Sequence, residues 1–225
     1  MNKIILLLLL AFTSTTQPLS QTKSRFAFCL QHLQKPFEVG SITPSSNATG
    51  RAMSSYIAQH IGTPKHILEI GAGPGSGITD DVINNLRPTD TFTIIEINPA
   101  FCTILHDKYG HIPNVSIVQA DILEFAPDSK YDYIISSLPL TIFPKSFISS
   151  YFSNLRKLIK PCGIVSYIQY IGFPRLRMLI DALFRKTALK EKMQLIDAFK
   201  NKWHLESKRV LLNCPPTWVH HLQMA

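Results

Sequence analysis

Five short, nearly continuous apolar runs punctuate the middle of the chain: His66–Ile70, Thr91–Ile97, Val115–Val118, Tyr131–Ser136 and Gly163–Ile168. Each is too short for a buried helix and rich in β-branched or aromatic residues, so each predicts a strand. Between them lie stretches of helical character, 77–86, 99–108 and 146–159. Strand and helix alternate at βαβ spacing, and strands without polar alternation belong to a parallel sheet covered on both faces. A basic stretch rich in Leu, Ile and Phe, about residues 175–200, predicts a further helix. Leu205–Leu212 and Thr217–His221 flank Pro215-Pro216 and predict a closing hairpin. The expectation is an α/β fold with a seven-stranded, mostly parallel sheet, helices on both faces and an antiparallel C-terminal strand.

The first 62 residues have a different rhythm. Ile4 to Phe12 is an unbroken apolar run after Lys3, followed by Thr13-Ser14-Thr15-Thr16, the outline of a secretory leader. Nine helical residues cover about 13 Å, less than half of a bilayer core of about 30 Å, so the run does not span. Cleavage for export and an interfacial anchor are the alternatives to a retained, cytoplasmic chain. Phe26, Leu30, Leu33 and Phe37 recur at helical spacing among Lys23, Arg25, Gln31, Gln34 and Lys35, predicting an amphipathic helix interrupted near Pro36. Pro44-Ser45-Ser46 offers a turn and an N-cap for a second helix carrying Met53, Ile57 and Ile61, which Gly62-Thr63-Pro64 stops. The organisation expected is a hydrophobic leader over 1–20, N-terminal helices over 21–62 and one catalytic domain over 63–225.

Composition changes this picture in one respect. The chain has 225 residues, 45% hydrophobic and 17% charged, which excludes disorder of the whole. Its net charge of +8 is concentrated: between Lys145 and Arg209 stand 14 basic residues and 4 acids. Such an excess is either a set of solvated helix faces or a surface for an anionic partner, RNA or an anionic membrane. Cys29, Cys102, Cys162 and Cys214 lie far apart with no C-x-x-C pair, and the eight histidines, His220 and His221 among them, show no ligand spacing, so no metal is expected.

The chemistry is carried by the strand ends. Glu69-Ile70-Gly71-Ala72-Gly73-Pro74-Gly75 closes the first strand and opens a helix; its glycines let the backbone turn tightly and approach a ligand. Dinucleotide sites use a similar loop, but Glu69 would repel a pyrophosphate and suits a cationic amino-acid group. Glu96 ends the second strand, where a carboxylate can accept from both ribose hydroxyls. Asp121 ends the third strand, in Gln119-Ala120-Asp121-Ile122, and is placed to accept from an exocyclic adenine amine. This ordered set resembles the S-adenosylmethionine site of the Rossmann-like class I methyltransferases. The resemblance implies cofactor contacts at Glu69, Gly71, Ala72, Gly73, Gly75, Glu96, Ile97, Asn98, Asp121, Ile122 and Ser137.

The acceptor site is expected after the fourth strand, at Ser136-Ser137-Leu138-Pro139-Leu140-Thr141-Ile142-Phe143-Pro144. Adenine-N6 and related amino methyltransferases carry Asn/Asp-Pro-Pro-Tyr there; here Ser137 stands for the amide and Leu140 for the stacking aromatic. An apolar segment favours a greasy substrate over a base, whose capture relies on stacking worth about 1–3 kcal/mol. With 35–46 (KPFEVGSITPSS), Ile95–Phe101, Gln169-Tyr170 and Asn213–Pro216, the chain resembles the soluble bacterial phospholipid N-methyltransferases, which convert phosphatidylethanolamine to phosphatidylcholine. Ribosomal-RNA adenine dimethyltransferases resemble it next.

The resemblance implies methyl transfer to a phosphatidylethanolamine amine and peripheral association with an anionic membrane through residues 24–40, with RNA the less favoured partner. Carbonyls at Ser137 and Leu138, with a hydroxyl from Tyr56, Tyr167 or Tyr170, would orient the amine; Ser137, Leu138 and Tyr170 are the catalytic candidates. An RNA methyltransferase, or a module that binds the cofactor without turnover, are the alternatives.

Overall fold

The computed structural model describes residues 45–75, 77–171, 188–213 and 215–224. The leader and the first amphipathic helix, the membrane-contact stretch 24–40 included, lie outside the described residues. So does 172–187, the beginning of the basic stretch.

Seven strands form one sheet in the order β3-β2-β1-β4-β5-β7-β6. They are β1 His66–Ile70, β2 Thr91–Glu96, β3 Val115–Gln119, β4 Tyr131–Ser136, β5 Ile159–Tyr170, β6 His204–Val210 and β7 Thr217–Gln223. The first five run parallel, β7 pairs antiparallel with β5, and β6 pairs antiparallel with β7, so β7 alone points the other way. This is the doubly wound arrangement expected from the apolar runs. Chain order reverses beside β1, with β2 on one side and β4 on the other, and the crevice at such a reversal is where ligands bind. Ile67, Leu68 and Ile70 of β1 are almost fully buried, as a central strand covered on both faces requires.

The helices are α1 Asn47–Met53, α2 Ser55–Ala58, α3 Gly77–Asn84, α4 Pro99–Tyr109, α5 Lys145–Leu158 and α6 Ala188–Trp203. On one face Met53 and Ile57 (α1, α2), Ile78 and Val82 (α3) and Leu105 and Tyr109 (α4) share a cluster with Ile67, Ile94, Ile135, Ile168 and Val219 of the strands. Tyr151 of α5 is wholly buried and donates to Ser136 Oγ on β4 at 2.7 Å.

Three expectations are corrected. The predicted second helix breaks at Ser54, whose hydroxyl bonds to the Gly50 carbonyl and to the Asp81 carboxylate instead of leaving the chain free to continue. It ends at Ala58, and Ile61, expected on its apolar face, is 89% exposed. Arg87 accounts for this by donating to the carbonyls of Gly62 and Thr63, both at 2.9 Å, which holds that loop away from the helix axis. Next, β5 begins four residues before Gly163: the chain passes through Pro161 and Gly163 with a register shift against β4, and Cys162 takes φ +62° between them. Last, β6 ends at Val210, two residues short of the predicted end, leaving Leu211 and Leu212 in the turn.

Candidate cofactor and acceptor site

The first turn after β1 is a glycine loop held from several sides. Gly71, Gly73 and Gly75 all take positive φ, at +74°, +61° and +69°. Gly71 donates to the Ile95 carbonyl at 2.9 Å, stitching the loop to β2. Its carbonyl accepts the Ser137 hydroxyl at 3.2 Å, stitching it to β4. Lys108 on α4 donates to the carbonyls of Pro74 (3.0 Å) and Gly75 (2.8 Å), and the ring of Tyr109 packs so close to Gly75 that a Cβ there would stand 2.6 Å from it. Around Gly73, by contrast, an added Cβ would meet nothing within 4 Å. The loop is clamped at both ends and open at its middle, the shape of a cradle for a ligand.

Three acids stand at or just past the C-terminal ends of β1, β2 and β3. Glu96 closes β2, only 5% exposed, and its carboxylate gathers backbone donors: Ile97 and Asn98 to Oε1 and Gly73 to Oε2, each at 2.9 Å. A carboxylate offers about four lone-pair directions, so three N–H donors leave one for a ligand, and a second is freed if Gly73 turns away. Asn98 caps α4, accepting from Ala100 N–H at 2.8 Å, and Ile97 joins the two.

Glu69 is 1% exposed; Thr79 donates to its Oε1 at 3.1 Å, and Oε2 is buried with no hydrogen-bond partner among the described residues. Burial, abetted by the charges of Asp80 and Glu96, pushes its carboxyl up to about 8 despite the Thr79 bond. A neutral acid with an orphaned oxygen fits a site that ionises when a cation arrives. The same acids are a poor cradle for a pyrophosphate.

Asp121 stands two residues past the end of β3 rather than ending it: the last bond to β2 is from Ala120 N–H to the Glu96 carbonyl, and Asp121 already begins a turn. Its Oδ1 accepts Leu123 N–H at 2.8 Å and its carbonyl accepts from Glu124 and Phe125, which fixes the turn it begins. Ile122 is buried beside it, its carbonyl accepting from Asn154 of α5. Thus all the cofactor residues expected from sequence lie in or directly after the C-terminal ends of β1, β2, β3 and β4, around one crevice.

The acceptor segment is spent differently from expectation. Ser137 donates its N–H to the Ile70 carbonyl at 3.2 Å and its hydroxyl to Gly71, so its side chain serves the loop rather than standing as a substrate amide would. Leu138 is buried against Gly71, where a Cβ would come within 2.7 Å of Leu138 Cδ2. Leu140 and Phe143 are buried too, across a 3₁₀ turn, Leu140–Ile142. Of the tyrosines, Tyr170 ends β5, packs on the same cluster as Ile168 and is raised by burial. Tyr56 lies beside the two strands at the sheet's edge instead. Its hydroxyl donates to Glu206 at 3.2 Å and its ring meets His221 edge-on at 4.9 Å, alongside the β6–β7 pair. Tyr167 is buried, its hydroxyl without a partner among the described residues.

His220 and His221 are packing groups: both are buried and burial lowers both to about 4, so they stay neutral. Among the described residues no three His, Cys, Asp or Glu are grouped to hold a metal, and no helix is long and apolar enough to cross a membrane. Part of the basic excess lies far from the crevice. Lys130, Arg156, Lys157 and Lys160 surround a cavity of about 410 Å³ floored by Ile159 and Met224, at the N-terminal ends of β4 and β5.

Sequence reasoning missed Thr79, Lys108 and Tyr109. Their relation to Glu69 and Gly75 spans 10 to 34 residues and leaves no local pattern.

Comparison with known proteins agrees with this geometry. An ornithine lipid N-methyltransferase from Singulisphaera acidiphila is 24% identical over 152 residues, 65% of this chain and 78% of that protein. A ribosomal RNA small subunit methyltransferase A from Borreliella afzelii is 33% identical over 75 residues, 32% of this chain and 26% of its own length. Among solved structures, the 1,6-didemethyltoxoflavin-N1-methyltransferase of Burkholderia thailandensis, with bound S-adenosylhomocysteine, aligns with a TM-score of 0.59 at 15% identity, covering 95% of this chain and 92% of its own. Residues 67–163 match the family described as methyltransferase domain. Strand order, glycine loop and carboxylates agree with that match, and the seven-stranded sheet has the Rossmann-like methyltransferase fold of the solved neighbours.

Proposed function

We propose that the chain methylates the primary amine of a membrane lipid, a phosphatidylethanolamine or ornithine-lipid headgroup. The observation that carries this reading is the acceptor segment: behind Ser137 it offers buried leucines and Phe143 where base capture would need an exposed amide and a stacking ring. The lipid N-methyltransferase similarity, spread over 152 residues, supports it further.

Bound S-adenosylmethionine supplies a methyl group already activated on a sulfonium. Glu69 would hold its ammonium, Glu96 its ribose hydroxyls, Asp121 and Ile122 its adenine, and Gly71, Ala72 and Gly73 its backbone-facing side, with Ile97, Asn98 and Ser137 shaping the wall. What remains for the protein is to place and deprotonate the amine. A lipid ammonium titrates near the lysine value of about 10, so at neutral pH it must lose a proton before its lone pair can attack. The carbonyls of Ser137 and Leu138 accept no hydrogen bond from the described residues and lie at the crevice, so they can hold the amine by its N–H groups. Tyr170, on the neighbouring strand, would complete the rim. Its ring would favour the cationic, partly methylated products, and its hydroxyl or a water would pass the proton outward.

Glu69 gives the cofactor assignment a calorimetric signature. Because its carboxyl is raised to about 8, the free chain holds that proton at pH 7, and an ammonium partner favours the ionised form. Binding S-adenosylmethionine at pH 7 should release most of one proton, read from the dependence of the heat on buffer ionisation enthalpy. Glu69→Gln should release almost none; equal release from both proteins would contradict the assignment. The substrate reading is tested by labelled cofactor offered with lipid vesicles or with total RNA, label in the organic phase supporting it and label in RNA alone opposing it.

A further inference from the structure

The turn between β6 and β7 exposes two adjacent leucines, Leu211 at 64% and Leu212 at 83%. Turns usually carry polar or glycine residues, and two leucines in water forgo the burial that apolar side chains ordinarily gain. They are not there because the turn is loose. Asn213, next to them, is buried and holds three bonds: its Oδ1 accepts from Ser46 N–H and Thr49 hydroxyl, both 3.0 Å, and its Nδ2 donates to the Pro215 carbonyl at 2.9 Å. The tip is therefore fixed to the start of α1.

Its position is set by register. Val210 pairs with Thr217 and Thr217 with Tyr170, so the tip leaves the sheet at the C-terminal end of β5, the same end as the glycine loop. β6 is the edge strand, three strand spacings from β4, or about 14 Å. One residue before the tip's base, Arg209 has no acidic partner among the described residues and lies over the Trp218 ring at 4.9 Å. Arginine on tryptophan beside bare leucines is the combination of an interface: cation and indole at headgroup level, aliphatic chains below.

We infer that the Leu211–Leu212 tip, with Arg209 and Trp218, docks the catalytic end of the sheet onto an anionic lipid surface. The inference rests on the lipid reading above and names how that substrate is met. Charge selects the occupant: the chain is net +8, and Arg209, with no acidic partner among the described residues, can face a lipid phosphate from its place over Trp218. A second copy is disfavoured because a two-leucine tip is far smaller than the roughly 800 Å² per partner of a standard interface. A wedge entering about 5–10 Å would bring headgroups against the rim that carries Ser137, Leu138 and Tyr170.

The test compares wild type, Leu211→Ser with Leu212→Ser, and Arg209→Ala in sedimentation with phosphatidylglycerol/phosphatidylcholine vesicles and with phosphatidylcholine vesicles alone. The double variant should bind the anionic vesicles about tenfold more weakly, the loss of roughly one partly inserted side chain. Arg209→Ala should lose mainly the preference for anionic over neutral vesicles. All three should bind S-adenosylmethionine equally, which shows that they fold. Turnover on detergent-dispersed lipid amine should survive the double substitution while turnover on vesicles falls.

Unchanged sedimentation of the double variant, or a dimer in solution that the substitution dissociates, would overturn the docking role. A wild type that sediments as described yet methylates no lipid amine in either form would leave docking standing and remove the lipid-substrate reading instead.

Discussion

Glu96→Ala should weaken S-adenosylmethionine binding about 100-fold. The figure follows from the proposed pair of charge-assisted hydrogen bonds to ribose hydroxyls, each worth about 1.5–3 kcal/mol, partly offset by water entering the space. The same carboxylate organises the protein around it, accepting from Gly73, Ile97 and Asn98, so its removal also leaves three backbone donors without an acceptor and lowers stability by about 2 kcal/mol. Calorimetry at a temperature where the variant remains folded separates the two effects. Glu96→Gln should be intermediate, since an amide oxygen still accepts but carries no charge. Affinity unchanged in Glu96→Ala would mean that the ribose is held elsewhere.

Gly50→Ala should destabilise the domain by about 3 kcal/mol or more, although helix propensity alone predicts a gain of about 1 kcal/mol in the middle of a helix. The reason is a backbone contact: a Cβ on Gly50 would stand 1.9 Å from the Gly77 carbonyl oxygen and 3.1 Å from Asp81 Cβ. Neither α1 nor α3 can yield cheaply, because Gly77 itself packs against the Ser45 carbonyl, where its own Cβ would come within 2.5 Å. α3 opens directly after the glycine loop, so displacing it should also weaken cofactor binding. A fall of about 6–12 °C in Tm is expected for a chain of this size. An unchanged or raised Tm would show that the two helices slide apart freely.

The sequence made the central strands legible because burial on both faces leaves no polar alternation to confuse them: β1 and β4 begin and end at the predicted residues, His66–Ile70 and Tyr131–Ser136. The strand ends carry the candidate cofactor site, so the positions of Glu69, Glu96 and the glycines were legible with them. Where prediction failed, a distant residue had decided the local structure. Ser54 and Arg87 ended a helix that its apolar spacing would have continued to Ile61. A bulge at Cys162 carried β5 through Pro161 and Gly163, residues that read as breakers. Asn213, bonded to residues 164 and 167 positions away, turned Leu211 and Leu212 out of the predicted strand. Ser137 kept its predicted place but not its predicted use, since its hydroxyl is taken by the Gly71 carbonyl of the loop.

The proposed activity is methylation of a lipid amine at an acceptor segment lined by buried leucines and Phe143. Its most direct test is single-turnover incubation of the chain with methyl-labelled S-adenosylmethionine and vesicles holding phosphatidylethanolamine or ornithine lipid, with total RNA in a parallel reaction. Label is expected in the organic phase, on the headgroup nitrogen, and should be lost in Glu96→Ala. Label found in RNA and absent from every lipid amine would contradict it.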